Sequence, residues 1–365
     1  MEKYIAFVLP TGGERQFGGF KVIYEYANRL VTDGYKVCIK YTFPSKNRKR
    51  TIFYNITKKI FYFFRYIVFR DYKPKRWFVL NDGIKQDLIR SCAKQIREKD
   101  FTNCEYVIAT GIETSYYISC LKTIPNTKKY YFIQSYETWM GVSDEYVINS
   151  FKLPLNKIVI SPYLKERVEA AGGDATLIPN GFDFSYFKLL NKIEERKKNH
   201  ICMLYHTMEV KRCCDTIEAL KIVKEKHPDI IVNIFGFPKR PNELPEWFHY
   251  YRSPNKEVHN YIYNDSTIFV AASRMEGMAL PPAEAMICGC ALICTDIPGF
   301  TQYAINNKTA LLSEVYNVEQ LATNICKLIE DNELRIKIAE EGNNFIHTFT
   351  WEKAYSKLKL ELKID

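Results

Sequence analysis

YIAFVLPTGGERQFGGFKVIYEYANRLVTDGYKVCIKY, residues 4–41, is the stretch on which the fold turns. Its first six residues (YIAFVL) form an apolar run that stops at Pro10, and glycines follow at 12, 13, 18 and 19. Val22, Tyr26, Ala27 and Leu30 then recur at helical spacing until Gly34, and residues 36–41 (KVCIKY) return to a strand pattern. A short, wholly apolar strand is one buried on both faces, and strand, glycine loop, helix, strand is how a doubly wound parallel sheet opens. Working outward, residues 106–109 (YVIA), 130–133 (YYFI) and 157–160 (KIVI) read as further strands, each followed by helical patterning. After Ile178-Pro179-Asn180-Gly181 a polar, charged stretch runs to Asn199. Beyond it the same grammar restarts, with strands at 201–205, 230–236, 268–271 and 291–294 and helices over about 214–226, 318–330 and 334–345. The expected fold is α/β, two Rossmann-like doubly wound domains facing each other across a cleft. The expected boundaries are 1–180 for the first domain, 181–199 for a linker, 200–345 for the second domain, and 346–365 for a closing helix able to pack back on the first.

The 365 residues are 47% apolar and 26% charged, material for two buried cores. No apolar run reaches the roughly 18 residues of a spanning helix, and residues 1–10 lack the basic leader and apolar length of a secretory signal. A cytoplasmic location is therefore expected. Eleven cysteines without a Cys-x-x-Cys pair suit reduced, buried thiols better than disulfides or a zinc site. The formal charge of +10 is local: residues 46–76 hold eleven Lys or Arg against one acid, Asp71. Aromatic rings interleave with these cations, and Ile52, Ile56, Ile60, Phe63 and Ile67 fall at helical spacing. Three readings stand: an amphipathic helix resting on an anionic membrane face, a solvated face over an ordinary core stripe, or a track for single-stranded nucleic acid. We expect the first, since surplus rings suit a headgroup boundary and no RNA-binding signature accompanies the stretch.

Two features carry candidate chemistry. Gly12-Gly13 and Gly18-Gly19 let a ligand approach the backbone just ahead of a helix whose first N–H groups attract anions. The alternative is a turn needing left-handed residues. The run is not a Walker P-loop, because Gly19 stands where lysine is required, and it lacks the Gly-x-Gly-x-x-Gly spacing. The second feature is residues 273–286, SRMEGMALPPAEAM. Pro281-Pro282 stop a helix from running through, so Glu276 is expected in a loop and Glu284 in the first turn of a helix beginning near Pro282. Gly277 lets that loop pass close to a ligand, the helix start offers N–H groups to a phosphate, and Glu284 could accept hydrogen bonds from ribose hydroxyls. Plain alternatives are helix capping for Glu284 and a solvated loop acid for Glu276. No Asp-x-Asp and no His-x-x-x-His occurs, so no metal is expected.

Glu276-Gly277-Met278-Ala279-Leu280-Pro281-Pro282-Ala283-Glu284 resembles the Glu-x7-Glu motif of glycosyltransferase family 4, retaining enzymes of the GT-B fold. Other segments match in order: the opening glycines, residues 178–183 (IPNGFD), Met203 through Lys211, Phe235-Gly236, residues 295–299 (TDIPG) and Phe349-Thr350-Trp351. The resemblance spans nearly the whole chain and is strongest over 178–351. It implies a GT-B enzyme that moves a hexose or deoxyhexose from a nucleotide-diphosphate sugar to a growing glycan acceptor. It further implies an acceptor that is lipid-linked at the inner membrane face, in surface polysaccharide synthesis. By position, Glu284 would hold the donor ribose, and Glu276 with the backbone of Gly277, Met278, Ala279 and Leu280 would bracket the sugar and diphosphate. Lys211 would neutralise the departing diphosphate, where a fixed cation lowers the barrier as charge builds. Gly18 and Gly19 would let the first-domain loop approach the diphosphate or the acceptor. In such enzymes the acceptor attacks from the face the leaving group departs, a donor phosphate oxygen taking its proton; no cofactor beyond the sugar nucleotide is implied.

Two departures from the family pattern matter. His206 stands where an arginine is usual and Arg212 where a glycine is usual, so whether Arg212 supplies the missing donor-side charge is a question for the structure. No histidine precedes His200, and Gln134-Ser135-Tyr136-Glu137 fill the strand end where some relatives carry one. Tyr136 and Glu137 are thus acceptor-side candidates, with plain structural roles as the alternative. Other functional classes to weigh are a different GT-B enzyme such as an epimerase or phosphorylase, a sugar-nucleotide binder without turnover, and a nucleic-acid protein using the basic stretch.

Overall fold

The computed structural model describes residues 3–10, 18–42, 57, 60, 78–89 and 97–364. Apart from Thr57 and Ile60, the basic stretch 46–76 lies outside the described residues, as do Gly12 and Gly13. The chain divides into two compact units. Residues 1–160, 164–178 and 355–365 make the first, and residues 161–163 and 179–354 the second.

In the first unit the order is β1 (Tyr4–Leu9), α1 (Gly18–Thr32), β2 (Val37–Tyr41), β3 (Lys85–Leu88), β4 (Cys104–Ala109), α2 (Ile112–Ser119), β5 (Lys129–Ile133), α3 (Asp144–Phe151), β6 (Asn156–Val159), α4 (Pro162–Ala170) and β7 (Ala175–Leu177). These strands pair in parallel in the order β3-β2-β1-β4-β5-β6-β7. Residues 6–9 are fully buried, as an apolar strand between two parallel neighbours must be. Val8 is registered with Lys40 on one side and Ala109 on the other. The winding starts at β1, runs out through β3 and resumes at β4, so strand order reverses between β1 and β4.

The second unit repeats this plan with β8 (His200–Leu204), α5 (Cys213–Lys226), β9 (Ile231–Gly236), β10 (Phe248–Arg252), α6 (Lys256–Asp265), β11 (Ile268–Ala271), α7 (Leu280–Ile287), β12 (Ala291–Thr295), β13 (Ala310–Ser313), α8 (Val318–Glu330) and α9 (Asn332–Ile346), and the last helix, α10 (Trp351–Leu362), is divided between the two units at Tyr355. Its parallel sheet runs β10-β9-β8-β11-β12-β13, reversing between β8 and β11. Leu220 and Val223 of α5 and Ile325 and Ile329 of α8 share one apolar core with Ile201, Val232, Ile234 and Ile293 of the sheet.

Residues 181–199, expected as a linker, belong to the second unit. Ile193 enters its core. Arg196 is buried and donates to the carbonyls of Asn191, Ser266 and Cys288, the last two beyond the ends of α6 and α7. A charged, polar sequence reads as a linker, but a guanidinium has donors enough to satisfy several orphan carbonyls at once. Gly181 is required where the chain enters this unit: a Cβ there would sit 2.4 Å from the Trp351 amide nitrogen. Residues from Tyr355 onward count with the first unit, where Asp33 accepts from Tyr355 Oη at 2.9 Å and from Lys359 Nζ at 3.2 Å.

Candidate active site

A doubly wound sheet binds ligands outside the carboxyl ends of its strands, where the winding reverses. In the second unit that point is the exit of β8 and β11, and both loops leaving it carry charged groups. From β8 the chain passes Tyr205 and His206, makes a 3-10 turn over Glu209–Lys211 and enters α5. Gly236 lets β9 close on this exit, since a Cβ would lie 2.4 Å from the Tyr205 carbonyl oxygen. From β11 the chain runs through Ser273 and Glu276 into α7, and Arg274 N donates to Val210 O at 2.9 Å, tying the two loops.

Lys211 and Glu276, 65 residues apart, meet here: Nζ donates to Oε1 at 2.6 Å. The same oxygen accepts from Ser273 Oγ at 2.8 Å, and the Ser273 carbonyl accepts in turn from Thr295 Oγ1. Gly299 backs the glutamate, because a Cβ there would lie 2.3 Å from Glu276 Cβ and 2.5 Å from its carbonyl oxygen. The pair is partly open, with 22% of the Lys211 side chain and 12% of the Glu276 side chain exposed. A cavity of about 30 Å³ adjoins it, lined among others by Cys213, Ala279, Pro281 and Phe300.

α7 starts at Leu280 with both prolines in its first turn, so Glu284 stands in the second turn and not the first. The physical reason is that the first-turn N–H groups lack intrahelical partners, so two prolines there forfeit nothing. Glu284 is 7% exposed. Its charge reaches Tyr186, Tyr263 and Tyr303, whose phenols are pushed up chiefly by burial and further by that carboxylate. The loop between the two glutamates is fixed from behind: Gln302 Nε2 donates to Gly277 O at 3.2 Å and Tyr303 Oη to Ala279 O at 2.7 Å. Met278 and Ala279 are buried, and Leu280 is half-buried.

Arg212 adopts the left-handed backbone conformation (φ 45°), one that favours glycine. Its guanidinium holds Asp215 through two bonds, of 2.9 and 2.6 Å, and Glu209 through a third of 3.1 Å, and lies over the Tyr316 ring. Those bonds commit it to Asp215 in the first turn of α5 and to Glu209 in the preceding 3-10 turn. His206 Nδ1 accepts from Met208 N at 2.9 Å, and burial, then the Lys211 charge, lowers its pKa, so the ring is neutral at pH 7. Ser273, Arg274, Thr295 and Gly299 received no role from sequence. The signal for Thr295 and Gly299 lay in the matching segment 295–299, whereas Arg274, whose Nε donates to Glu209 at 2.8 Å, carried none.

Gly18, Gly19, Tyr136 and Glu137 belong to the first unit, around the reversal of its own sheet. Gly18 and Gly19 open α1, and Gln134 Nε2 donates to Gly19 O at 3.1 Å. Glu137 is 7% exposed and accepts from Ile112 N, at the start of α2, at 3.2 Å. Burial outweighs that bond and pushes its pKa up to about 7. Tyr136 Oη hydrogen-bonds Asp144, and Arg167 lies 4.6 Å over its ring. Among the described residues no three His, Cys, Asp or Glu side chains converge as metal ligands, and no helix is long and apolar enough to cross a membrane.

Residues 188–345 match the family model "Glycosyl transferases group 1". An uncharacterised glycosyltransferase of Methanocaldococcus jannaschii is 34% identical over 87 residues, 24% of this chain and 25% of that protein. The capsular polysaccharide biosynthesis glycosyltransferase CapM of Staphylococcus aureus is 26% identical over 229 residues, 57% of this chain and 60% of CapM. The matched stretches thus span less than two thirds of either relative. Among solved structures, Anabaena HepE in complex with UDP and glucose superposes with a TM-score of 0.73 at 12% identity, covering 99% of this chain and 100% of that one. Residues 188–345, which contain Lys211, Glu276 and Glu284, thus match the glycosyl transferases group 1 family, on a chain with the GT-B fold.

Proposed function

We propose that this protein is a retaining glycosyltransferase that moves a sugar from a nucleotide-diphosphate sugar to a glycan acceptor in surface polysaccharide synthesis. The observation that carries the reading is the Lys211–Glu276 pair at the β8/β11 reversal, with buried Glu284 on the following helix, inside the family-matched residues. An ammonium at that point meets the charge that grows on a departing diphosphate, in a partly desolvated setting where it acts more strongly than in water. Glu284 grips the ribose, and Glu276 with the 277–280 backbone holds the sugar. The acceptor hydroxyl attacks from the face the diphosphate leaves, and a donor phosphate oxygen takes its proton. Lys211 and backbone N–H groups suffice for the diphosphate in this reading, without a metal. CapM, named for capsular polysaccharide synthesis, and HepE, solved with UDP and glucose, support the product and donor classes.

The test is a panel of UDP-, GDP-, ADP- and dTDP-sugars read by thermal shift and by release of nucleoside diphosphate, since a ligand that binds only the folded protein raises its apparent stability. One donor should stand out in both readouts. A protein that none of them stabilises would refute the reading, and stabilisation without release in the presence of glycan acceptors would reduce it to a binder. For the acceptor we propose a lipid-linked glycan reached from the cytoplasmic membrane face, with residues 46–76 resting on anionic lipid. Charge reversal at Lys58 and Lys59 should lower recovery with anionic vesicles at low salt while donor binding persists. Equal flotation of the two proteins would refute the membrane role.

A further inference from the structure

The charges around the β8/β11 reversal do not favour a diphosphate as they stand. Lys211, Arg212 and Arg274 are matched by the carboxylates they bond, Glu276, Asp215 and Glu209, so three positive charges are balanced by three negative ones. Arg212 is committed to Asp215 and Glu209 by three bonds and to the Tyr316 ring, and Arg274 bonds the same Glu209. The lysine that a diphosphate needs is held by a carboxylate at 2.6 Å. That carboxylate has a second support that does not involve the lysine, the 2.8 Å bond from Ser273 Oγ, itself anchored through its carbonyl by Thr295.

We propose that Lys211 exchanges partners on binding: the donor diphosphate takes it from Glu276, and the bond from Ser273 Oγ then keeps the glutamate carboxylate in place. The inference rests on the glycosyltransferase reading and extends it by naming an internal competitor for the donor. An ammonium shared between a carboxylate and a phosphate is a thermodynamic competition, and the affinity observed is the intrinsic one reduced by the fraction of protein in which the lysine is engaged elsewhere. Glu276 therefore weakens diphosphate binding while contributing to sugar placement. Ser273 is a positioning residue: its removal leaves the competition intact but lets the glutamate drift once the lysine has gone.

The experiment is a double-mutant cycle on the full chain, with binding of UDP, GDP and ADP measured calorimetrically for wild type, Glu276→Gln, Lys211→Ala and the double variant. Partner exchange predicts that the nucleotide bound by wild type binds Glu276→Gln about fivefold to tenfold tighter, the low end of ordinary coupling free energies. In the Lys211→Ala background the same substitution should gain little. A gain of equal size in both backgrounds would mean simple relief of repulsion, and no gain in either would mean the pair persists in the complex; each overturns the proposal while leaving the donor reading standing. No binding of any nucleotide to any of the four, all shown folded by circular dichroism, overturns the donor reading and this inference with it. As a second arm, Ser273→Ala should keep wild-type nucleotide affinity and lose kcat, with Ser273→Thr restoring it. Nucleotide affinity lost with kcat in Ser273→Ala would refute the positioning role.

Discussion

Replacing Glu137 by glutamine should flatten the dependence of stability on pH between about 4.5 and 7. Burial raises this carboxyl from 4.5 to about 7, against the single bond it accepts from Ile112 N. In the unfolded chain the group loses its proton near its ordinary value; in the folded protein it keeps it to about 7. Between those limits the native state binds the extra proton, so the stabilisation is whole below the unfolded value, falls as pH rises through the window and is gone above the folded one. At ~1.4 kcal/mol per pH unit, the span from 4.5 to about 7 gives a loss of roughly 3.5 kcal/mol across the window. The amide oxygen of glutamine can still accept from Ile112 N and carries no charge to desolvate. Urea denaturation of both proteins at pH 4.5, 6 and 8, following the transition of the first unit, measures the effect directly. The variant's advantage over wild type should grow by about that amount from the lowest pH to the highest. Parallel stability profiles would refute the reasoning, because they would mean that Glu137 is ionised in the folded protein at the ordinary pH or is hydrated within it.

Three further outcomes concern the second unit. Gly299→Ala should destabilise by about 1–3 kcal/mol in thermal unfolding, since the new methyl meets Glu276 backbone atoms that cannot swing aside, and should lower turnover more than donor affinity. Lys211→Ala should lower kcat by about 10²–10³-fold with the best donor of the panel, and wild-type turnover in that variant would remove its leaving-group role. Glu284→Ala should raise the donor KM with a smaller change in kcat, measured by steady-state kinetics at saturating acceptor; an unchanged KM would leave Glu284 a buried structural acid.

Every strand that the apolar runs indicated is interior to its sheet, and every strand they passed over is an edge. β3 reads KQDL, β7 ATL, β10 FHYYR and β13 ALLS, and these four close the two sheets at either side. An interior parallel strand is covered on both faces and must be apolar throughout, which makes it visible in sequence; an edge strand has one neighbour and a wetter face, so short or polar segments serve. The start of α7 was misplaced by two residues for a similar reason, because proline marks where a helix cannot continue but does not say how much of a first turn precedes it.

The sequence by itself determined the α/β class, the positions of the inner strands along the chain, and the residue types at the candidate site, because these follow from local periodicity and from side-chain chemistry at fixed spacing. What only the tertiary structure decided is who meets whom. That Lys211 holds Glu276, that Ser273, Thr295 and Gly299 brace the glutamate, and that Arg212 turns to Asp215 depend on bringing the ends of β8, β11 and β12 side by side. Strand adjacency is set by long-range pairing and by packing of helices on both faces of the sheet, and no local window of sequence carries it.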